Sequence, residues 1–321
     1  MTTTETGSGA PDVLRYTAFS SDPDGGNPAG VVLDARGLDE ARMLAIAAEV
    51  GYSETAFLTP LPPDGDGAPG ADGGPGADGG PGAAPGRGFA VRYFSPAAEV
   101  PFCGHATVAA AVALAERIGP GELVFATPAG TVPVTVTAAG GGGGGLRATL
   151  TSVEPYVAGI GEGDLAEALA ALGWQPGELD PALPARIAYA GARHLVLAAA
   201  TRERLAALDY DFERLRALML RLDLTTVQLV WRETEPGGGT GAGAVFHVRD
   251  PFPVGGVVED PATGAAAAAF GGYLRALGLI TAPAVITLHQ GHDMGRPGLL
   301  EVGLREDDPR VRVSGAASRI G

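Results

Sequence analysis

Phe94-Ser95-Pro96, followed by Glu99-Val100-Pro101-Phe102-Cys103-Gly104-His105-Ala106-Thr107 and the alanine-rich run Val108 to Arg117, has a counterpart later in the chain. The counterpart is Phe252-Pro253, then Gly256-Val257-Val258-Glu259-Asp260-Pro261-Ala262-Thr263-Gly264, leading into Ala265 to Arg275. Each copy reads as an extended apolar segment, a polar residue or two at a glycine turn, and a helix of small residues. A helix that starts directly after such a turn directs unpaired N–H groups and the positive end of its dipole toward the turn. Two such ends facing one another would make a cleft for a small anion such as an amino-acid carboxylate. The duplication therefore predicts two similar halves with a small-molecule site between them.

Composition narrows the chemistry. The chain has 321 residues, 45% hydrophobic and 18% charged, which suits globular domains with cores of their own. A net charge of −15 argues against nucleic acid or an anionic membrane as partner. Four of the acids, Asp64, Asp66, Asp72 and Asp78, fall in a low-complexity segment. There is no lysine, so no Schiff base to pyridoxal phosphate and no Walker lysine for a nucleotide can be supplied. One cysteine, Cys103, permits neither an internal disulfide nor a cysteine zinc site. The opening residues lack the basic and apolar regions of a signal peptide, and no apolar run approaches ~20 residues, so a cytoplasmic location is expected.

Periodicity predicts strands over Val13 to Phe19 and Ala29 to Leu33, a helix over Leu38 to Val50 ending at Gly51, and a strand from Ser53 to Leu58. Leu61 to Gly88, Gly140 to Gly145 and Gly237 to Gly243 read as Gly-rich insertions, the first of them disordered. In the second half, helices are expected over Leu165 to Leu172 and Arg202 to Leu222. Strands are expected over Arg186 to Tyr189, Leu195 to Ala198, Val227 to Arg232, Ala244 to Val248, Val285 to His289, Leu299 to Val302 and Val311 to Ser314. The fold class is α+β with mostly antiparallel sheets. The helices Thr107 to Ile118 and Gly264 to Leu277 carry small residues nearly all round and should be enclosed by sheet.

Glu54 lies among apolar and aromatic residues at a strand start, where lost hydration would raise its pKa toward that of a general acid or base. A solvated edge-strand glutamate is the alternative. His105 follows Gly104 at a helix start, where the dipole disfavours imidazolium and a neutral ring could hold a substrate. A ring satisfied by backbone is the alternative, and the matching position of Asp260 in the second copy favours function. Asp260 could be a plain helix-start carboxylate or could hold an ammonium. Cys103 could ionise at its helix start and act as a second base, or be an inert buried hydrophobe. His289 and His292, three apart beside Asp293 in a strand-to-turn segment, are expected to face no common side, so no metal site is predicted. No Gly tract matches a dinucleotide fingerprint.

Taken together, Gly26-Asn27-Pro28-Ala29-Gly30, Ser53-Glu54-Thr55, Phe102 to Thr107, Gly191-Ala192-Arg193-His194-Leu195-Val196, Glu259 to Gly264, and Gln290-Gly291 with Gly295-Arg296-Pro297 resemble the PhzF-like isomerases of phenazine biosynthesis, within the diaminopimelate epimerase fold. The resemblance covers nearly the whole chain outside the insertions. It implies two pseudo-symmetric halves, each a curled sheet around a central helix: an N-terminal half over residues 1–135, completed by a strand within 305–321, and a C-terminal half over 146–300. It implies a cofactor-free isomerase, commonly a homodimer, with Glu54 as proton shuttle. His105 and Asp260 would orient the substrate and its amino group, Ser53 would be a further contact, and the backbone of Gly104 and Gly264 would receive the carboxylate. Arg193 and Arg296 are expected to be structural or to complete the site electrostatically. The best-studied members carry a serine where this chain has Ala265, so one hydroxyl for the carboxylate is absent. Epimerase relatives use two cysteines; Cys103 matches the first, and the second falls at Pro261, which cannot titrate. A Cys103–Glu54 pair of bases and a catalytically silent metabolite-binding or protein-interaction member are the competing readings.

Overall fold

A computed structural model describes residues 11–62, 86–139, 145–233 and 243–321. Most of the three expected insertions (63–85, 140–144 and 237–242) lies outside the described residues, but their ends close hairpins. Leu61 N–H donates to the Gly88 carbonyl, and Ala139 N–H to that of Gly145.

The first half comprises β1 (Leu14–Ala18), β2 (Asn27–Val32), α1 (Glu40–Val50), β3 (Thr55–Pro60), β4 (Gly88–Phe94), β5 (Glu99–Val100), α2 (Gly104–Ile118), β6 (Gly121–Thr127), β7 (Gly130–Ala138) and β8 (Leu146–Thr151). The second comprises β9 (Tyr156–Ala158), α3 (Glu162–Leu172), β10 (Arg186–Tyr189), β11 (Arg193–Ala198), α4 (Arg202–Ala206), α5 (Phe212–Leu222), β12 (Thr226–Arg232), β13 (Val245–Pro251), β14 (Glu259–Asp260), α6 (Gly264–Ala276), β15 (Ala284–Gln290), β16 (Gly298–Leu304) and β17 (Val311–Arg319).

The two series repeat one plan. In the first, α1 crosses between parallel β2 and β3, β3 turns back to β4, and α2 crosses from the β4–β5 hairpin to β6, parallel to β4. In the second, α4 and α5 cross between parallel β11 and β12, β12 turns back to β13, and α6 crosses from the β13–β14 hairpin to β15, parallel to β13. The remaining strand pairs are antiparallel, as the α+β expectation requires. The strands β1-β2-β3-β4-β6-β7-β8-β17 pair in succession, and β17 pairs with β1 again, so this sheet closes on itself. The other sheet runs from β9 through β10, β11, β12, β13, β15 and β16 to the same β17.

The central helices are enclosed as their small residues predict: α2 is buried from His105 to Ala115, and α6 from Ala266 to Leu274. Alanine and glycine let the strands approach the helix axis without leaving voids. A Cβ on Gly271 would lie 2.6 Å from Val302 Cγ1, and one on Gly272 would lie 2.5 Å from Pro155 Cβ. Each hairpin that delivers a central helix is braced by a two-pronged arginine–carboxylate pair. Arg92 on β4 grips Glu99 on β5 at 2.7 and 2.6 Å. Arg249 on β13 grips Glu259 on β14 at 3.0 and 2.5 Å.

Two local expectations are corrected. The helix expected over Arg202 to Leu222 is two helices, because Asp211 accepts from Arg214 N–H and starts a new N-terminus at Phe212. The strand expected from Ser53 begins at Thr55. Gly51, at φ 72, ends α1 in the left-handed region, and Glu54 lies ahead of the ladder, with its carbonyl accepting from Gly30 N–H. No helix among the described residues is long and apolar enough to cross a membrane.

Candidate active site

The N-termini of α2 and α6 meet head to head: a Cβ added to Gly104 would lie 3.9 Å from Gly264 Cα. Neither preceding residue, Cys103 or Thr263, caps its helix with its side chain. The N–H groups of Gly104 and Gly264 therefore keep their donors for a ligand, and the two dipoles add at one place. A side chain at Gly104 would project toward the opposite helix end, and one at Gly264 would press on the Phe19 ring, whose nearest atom would lie 3.3 Å from its Cβ.

Glu54 reaches this gap from the turn between α1 and β3. Its Oε2 lies 3.3 Å from His105 Nε2 and 3.5 Å from Cys103 Sγ, and its side chain is 18% exposed. Ser53 Oγ lies 3.2 Å from the same His105 nitrogen. From the second half, Asp260 is placed by the β13–β14 hairpin and receives Thr263 Oγ1–H at 2.5 Å on Oδ2. The structure thus brings Glu54, Ser53, Cys103, His105, Gly104, Asp260 and Gly264 into one cluster drawn from both halves.

Asn27, which the sequence reasoning quoted only within a motif, ties that cluster together. Its Nδ2 lies 2.8 Å from Asp260 Oδ1, 3.0 Å from the Ala262 carbonyl and 3.2 Å from His105 Nδ1. An amide has two N–H donors, so at most two of these three bonds form at once. Arg296 donates to the carbonyls of Gly25 and Gly26 and so fixes the approach to Asn27, the structural one of the two roles open to it. Gln290, fully buried, accepts from Thr263 N–H and donates to the Asp260 carbonyl, holding the second turn. Asn27 and Gln290 were missed as site residues because a lone amide has no periodicity or charge to mark it. Arg193 lies elsewhere, on an open cleft of about 450 Å³ with Tyr156, Tyr189 and Asp223.

Burial and the neighbouring Glu54 charge push the Cys103 thiol well above its usual value. The single cysteine is therefore a protonated hydrogen-bonding group at neutral pH, not a ready thiolate. Burial also raises Asp260, opposed by the attraction of His105. Behind Asp260 lies a second acid, Asp250, opposite it in the β13–β14 ladder. Asp250 accepts from Thr226, which contacts His194, and desolvation pushes it well above the usual carboxylate value. Burial pushes His194 down to about 3, so that ring is neutral.

One donor atom each from Glu54, Cys103 and His105 lies within 4.8 Å of the others, a set that could surround a metal ion. Binding through sulfur would require a thiolate that burial opposes. The expectation for His289 and His292 is overturned. Gly291, at φ 78, reverses the chain after β15 and brings the two rings to 5.1 Å between centroids. His247 of β13 lies beside them, 5.2 Å from His289.

Two pseudo-symmetric halves with the N-termini of their central helices apposed define the epimerase-type scaffold. A family model described as phenazine biosynthesis-like protein matches residues 16–320, and the chain belongs to this PhzF-like family of isomerases. It is 32% identical over 316 residues to the uncharacterized isomerase YddE of Escherichia coli O157:H7, covering 96% of this chain and 95% of that one. It is 30% identical over 307 residues to a trans-2,3-dihydro-3-hydroxyanthranilate isomerase of Pseudomonas fluorescens, covering 95% of each chain. The solved PhzF-family phenazine biosynthesis protein of Bacillus anthracis superposes with a TM-score of 0.78 at 24% identity, covering 96% of each chain. A hydroxyproline epimerase of Agrobacterium vitis shares the fold at a TM-score of 0.53 and 13% identity, covering 96% of this chain and 89% of that one.

Proposed function

We propose that this isomerase moves a proton and a double bond within a small amino-acid-like carboxylate, using Glu54 as its only acid/base. The observation that carries the reading is the position of Glu54, partly exposed at the gap between the two helix ends and 3.3 Å from His105. The substrate carboxylate binds the free N–H groups at Gly104 and Gly264, where both dipoles favour negative charge. Asp260 holds the amino group from the opposite half. The Glu54 carboxylate takes a proton from carbon, the electron pair of that C–H bond shifts through the adjacent π system, and the Glu54 carboxylic acid, partly exposed and so in exchange with solvent, delivers a proton to another carbon of that system. Atoms and electrons balance without a redox partner or cofactor. Helix-end donors also stabilise the negative charge that develops during the transfer.

The competing epimerase reading needs two bases on opposite faces of one carbon. Cys103 Sγ and Glu54 Oε2 are 3.5 Å apart, too close to admit a carbon between them, and the thiol is held protonated. The geometry therefore favours a single base. The P. fluorescens relative is named for trans-2,3-dihydro-3-hydroxyanthranilate, which makes that compound the first to try alongside a panel of amino acids.

The test is carbon-bound deuterium uptake in D₂O, followed by mass spectrometry. Wild-type exchange should fall by at least ~10²-fold in Glu54→Gln, the usual scale for losing a general acid/base, and change only modestly in Cys103→Ala. Loss of exchange in Cys103→Ala with retention in Glu54→Gln would reject the assignment.

A further inference from the structure

Three of the chain's five histidines converge outside the active site. His247 on β13 and His289 on β15 are direct partners in a parallel ladder, so their side chains leave the sheet on the same face. The one-turn helix His292–Met294 follows Gly291 and brings His292 back over them. Ring centroids are 5.2 Å apart for His247–His289, 5.1 Å for His289–His292 and 6.4 Å for His247–His292.

Those spacings suit a shared ion. A metal about 2.0–2.1 Å from a ring nitrogen lies about 3.2 Å from the ring centroid, so two ligand rings at the tetrahedral angle have centroids about 5.2 Å apart. Both pairs made by His289 meet that value. The third is wider, and the nitrogens of the three rings do not all lie within 4.8 Å of one another, so binding asks the rings to turn as well as close, a movement that falls mainly to the exposed His292. His247 is also set up as a ligand. Its Nε2 lies 3.2 Å from the Glu233 carboxylate, while its Nδ1 is shielded from solvent and has no partner among the described residues. A carboxylate on one ring nitrogen fixes the proton there and leaves the lone pair on the other, the arrangement that usually supports a metal-bound histidine.

We propose that His247, His289 and His292 bind one divalent transition-metal ion of the zinc class, with Glu233 orienting His247 and solvent completing the coordination. Imidazole nitrogens suit zinc, nickel and cobalt, whereas magnesium and calcium prefer oxygen. The turn that carries His292 lies between Gln290 and Arg296, which hold the backbone around Asp260 and Asn27. An ion here would pin that turn from the outer face of the sheet and take no part in the proton transfer.

The test uses tag-free, chelator-treated full chain titrated with cobalt(II) and zinc(II), read by visible absorption and by calorimetry. One ion per chain should bind. His289→Ala should weaken binding by at least ~100-fold and Glu233→Gln by ~10–100-fold, the usual range for an outer carboxylate. Cys103→Ala should bind as wild type, which separates this site from the cluster at Glu54, Cys103 and His105. Proton NMR of the wild type gives a reading free of folding artefacts: cobalt(II) should shift or broaden the rings of His247, His289 and His292 first. Absence of saturable binding, binding retained in a His289→Ala/His292→Ala double variant, loss in Cys103→Ala, or effects centred on His105 would each overturn the proposal.

Discussion

Asp250 and Asp260 face each other across the β13–β14 ladder, and both carboxyls are raised above their usual values, chiefly by desolvation. A carboxyl with a higher pKa in the folded state holds its proton more tightly there than in the unfolded chain. Stability is then greatest below the unfolded pKa near 4 and declines as pH rises toward the folded value, by up to ~1.4 kcal/mol per pH unit per proton. Asp250 is the stronger case, because it is fully buried and its Oδ2 has no partner among the described residues. Asp250→Asn mimics the protonated acid and removes its repulsion with Asp260. Chemical denaturation between pH 5 and pH 8 should show the variant gaining on wild type as pH rises, and a constant difference across that range would refute the account. Residues of this kind mark what a sequence displays and what it hides. Glu54, His105 and Asp260 were legible because a strand start and a duplicated helix start single them out. Asn27 joins Asp260 across 233 positions, and nothing local signals a bond that only the closed fold creates.

At the scale of elements, the small-residue runs announced α2 and α6 as enclosed helices, and the structure turns their smallness into a packing requirement. Replacing a helical glycine by alanine ordinarily stabilises by ~0.5–1 kcal/mol, through reduced entropy of the unfolded chain. At Gly271 a Cβ would sit 2.6 Å from Val302 Cγ1 and 2.9 Å from Val311 Cγ1, on strands pinned by their ladders. Overpacking of that kind costs ~1–3 kcal/mol and should win. Gly163, in the first turn of α3, has open space around its missing side chain. Urea melts should show Gly271→Ala destabilised and Gly163→Ala neutral or stabilised; equal signs would mean that the strands yield. The division of the region 202–222 was hidden because apolar spacing persists on both sides of the break. Only the capping bond from Asp211 to Arg214 shows where the new helix begins. The meeting of His247, His289 and His292 was equally hidden, since it depends on β13–β15 pairing and on the left-handed Gly291.

At the scale of the molecule, β17 belongs to both sheets. Val311 to Ser314 pair with Leu304 to Glu301 on β16, Arg312 to Ala316 pair with Thr151 to Arg147 on β8, and Ala317 to Arg319 pair with Ala18 to Tyr16 on β1. Losing β17 would open the closed sheet around α2 and strip an edge from the sheet around α6. The candidate site needs both, because Glu54 and Asp260 are held by different halves and linked through Asn27. The halves should therefore unfold together. The sequence supplies a reporter for each. Both tryptophans, Trp174 and Trp231, lie in the second half, and the one thiol, Cys103, lies buried in the first. Under increasing urea, tryptophan fluorescence and the accessibility of Cys103 to a thiol reagent should change at one shared midpoint, the signature of a cooperative transition. A chain ending at Arg310 should fail to show it. Separate midpoints in the full chain would mean that β17 does not couple the halves, and that the two helix ends are apposed by the interface alone.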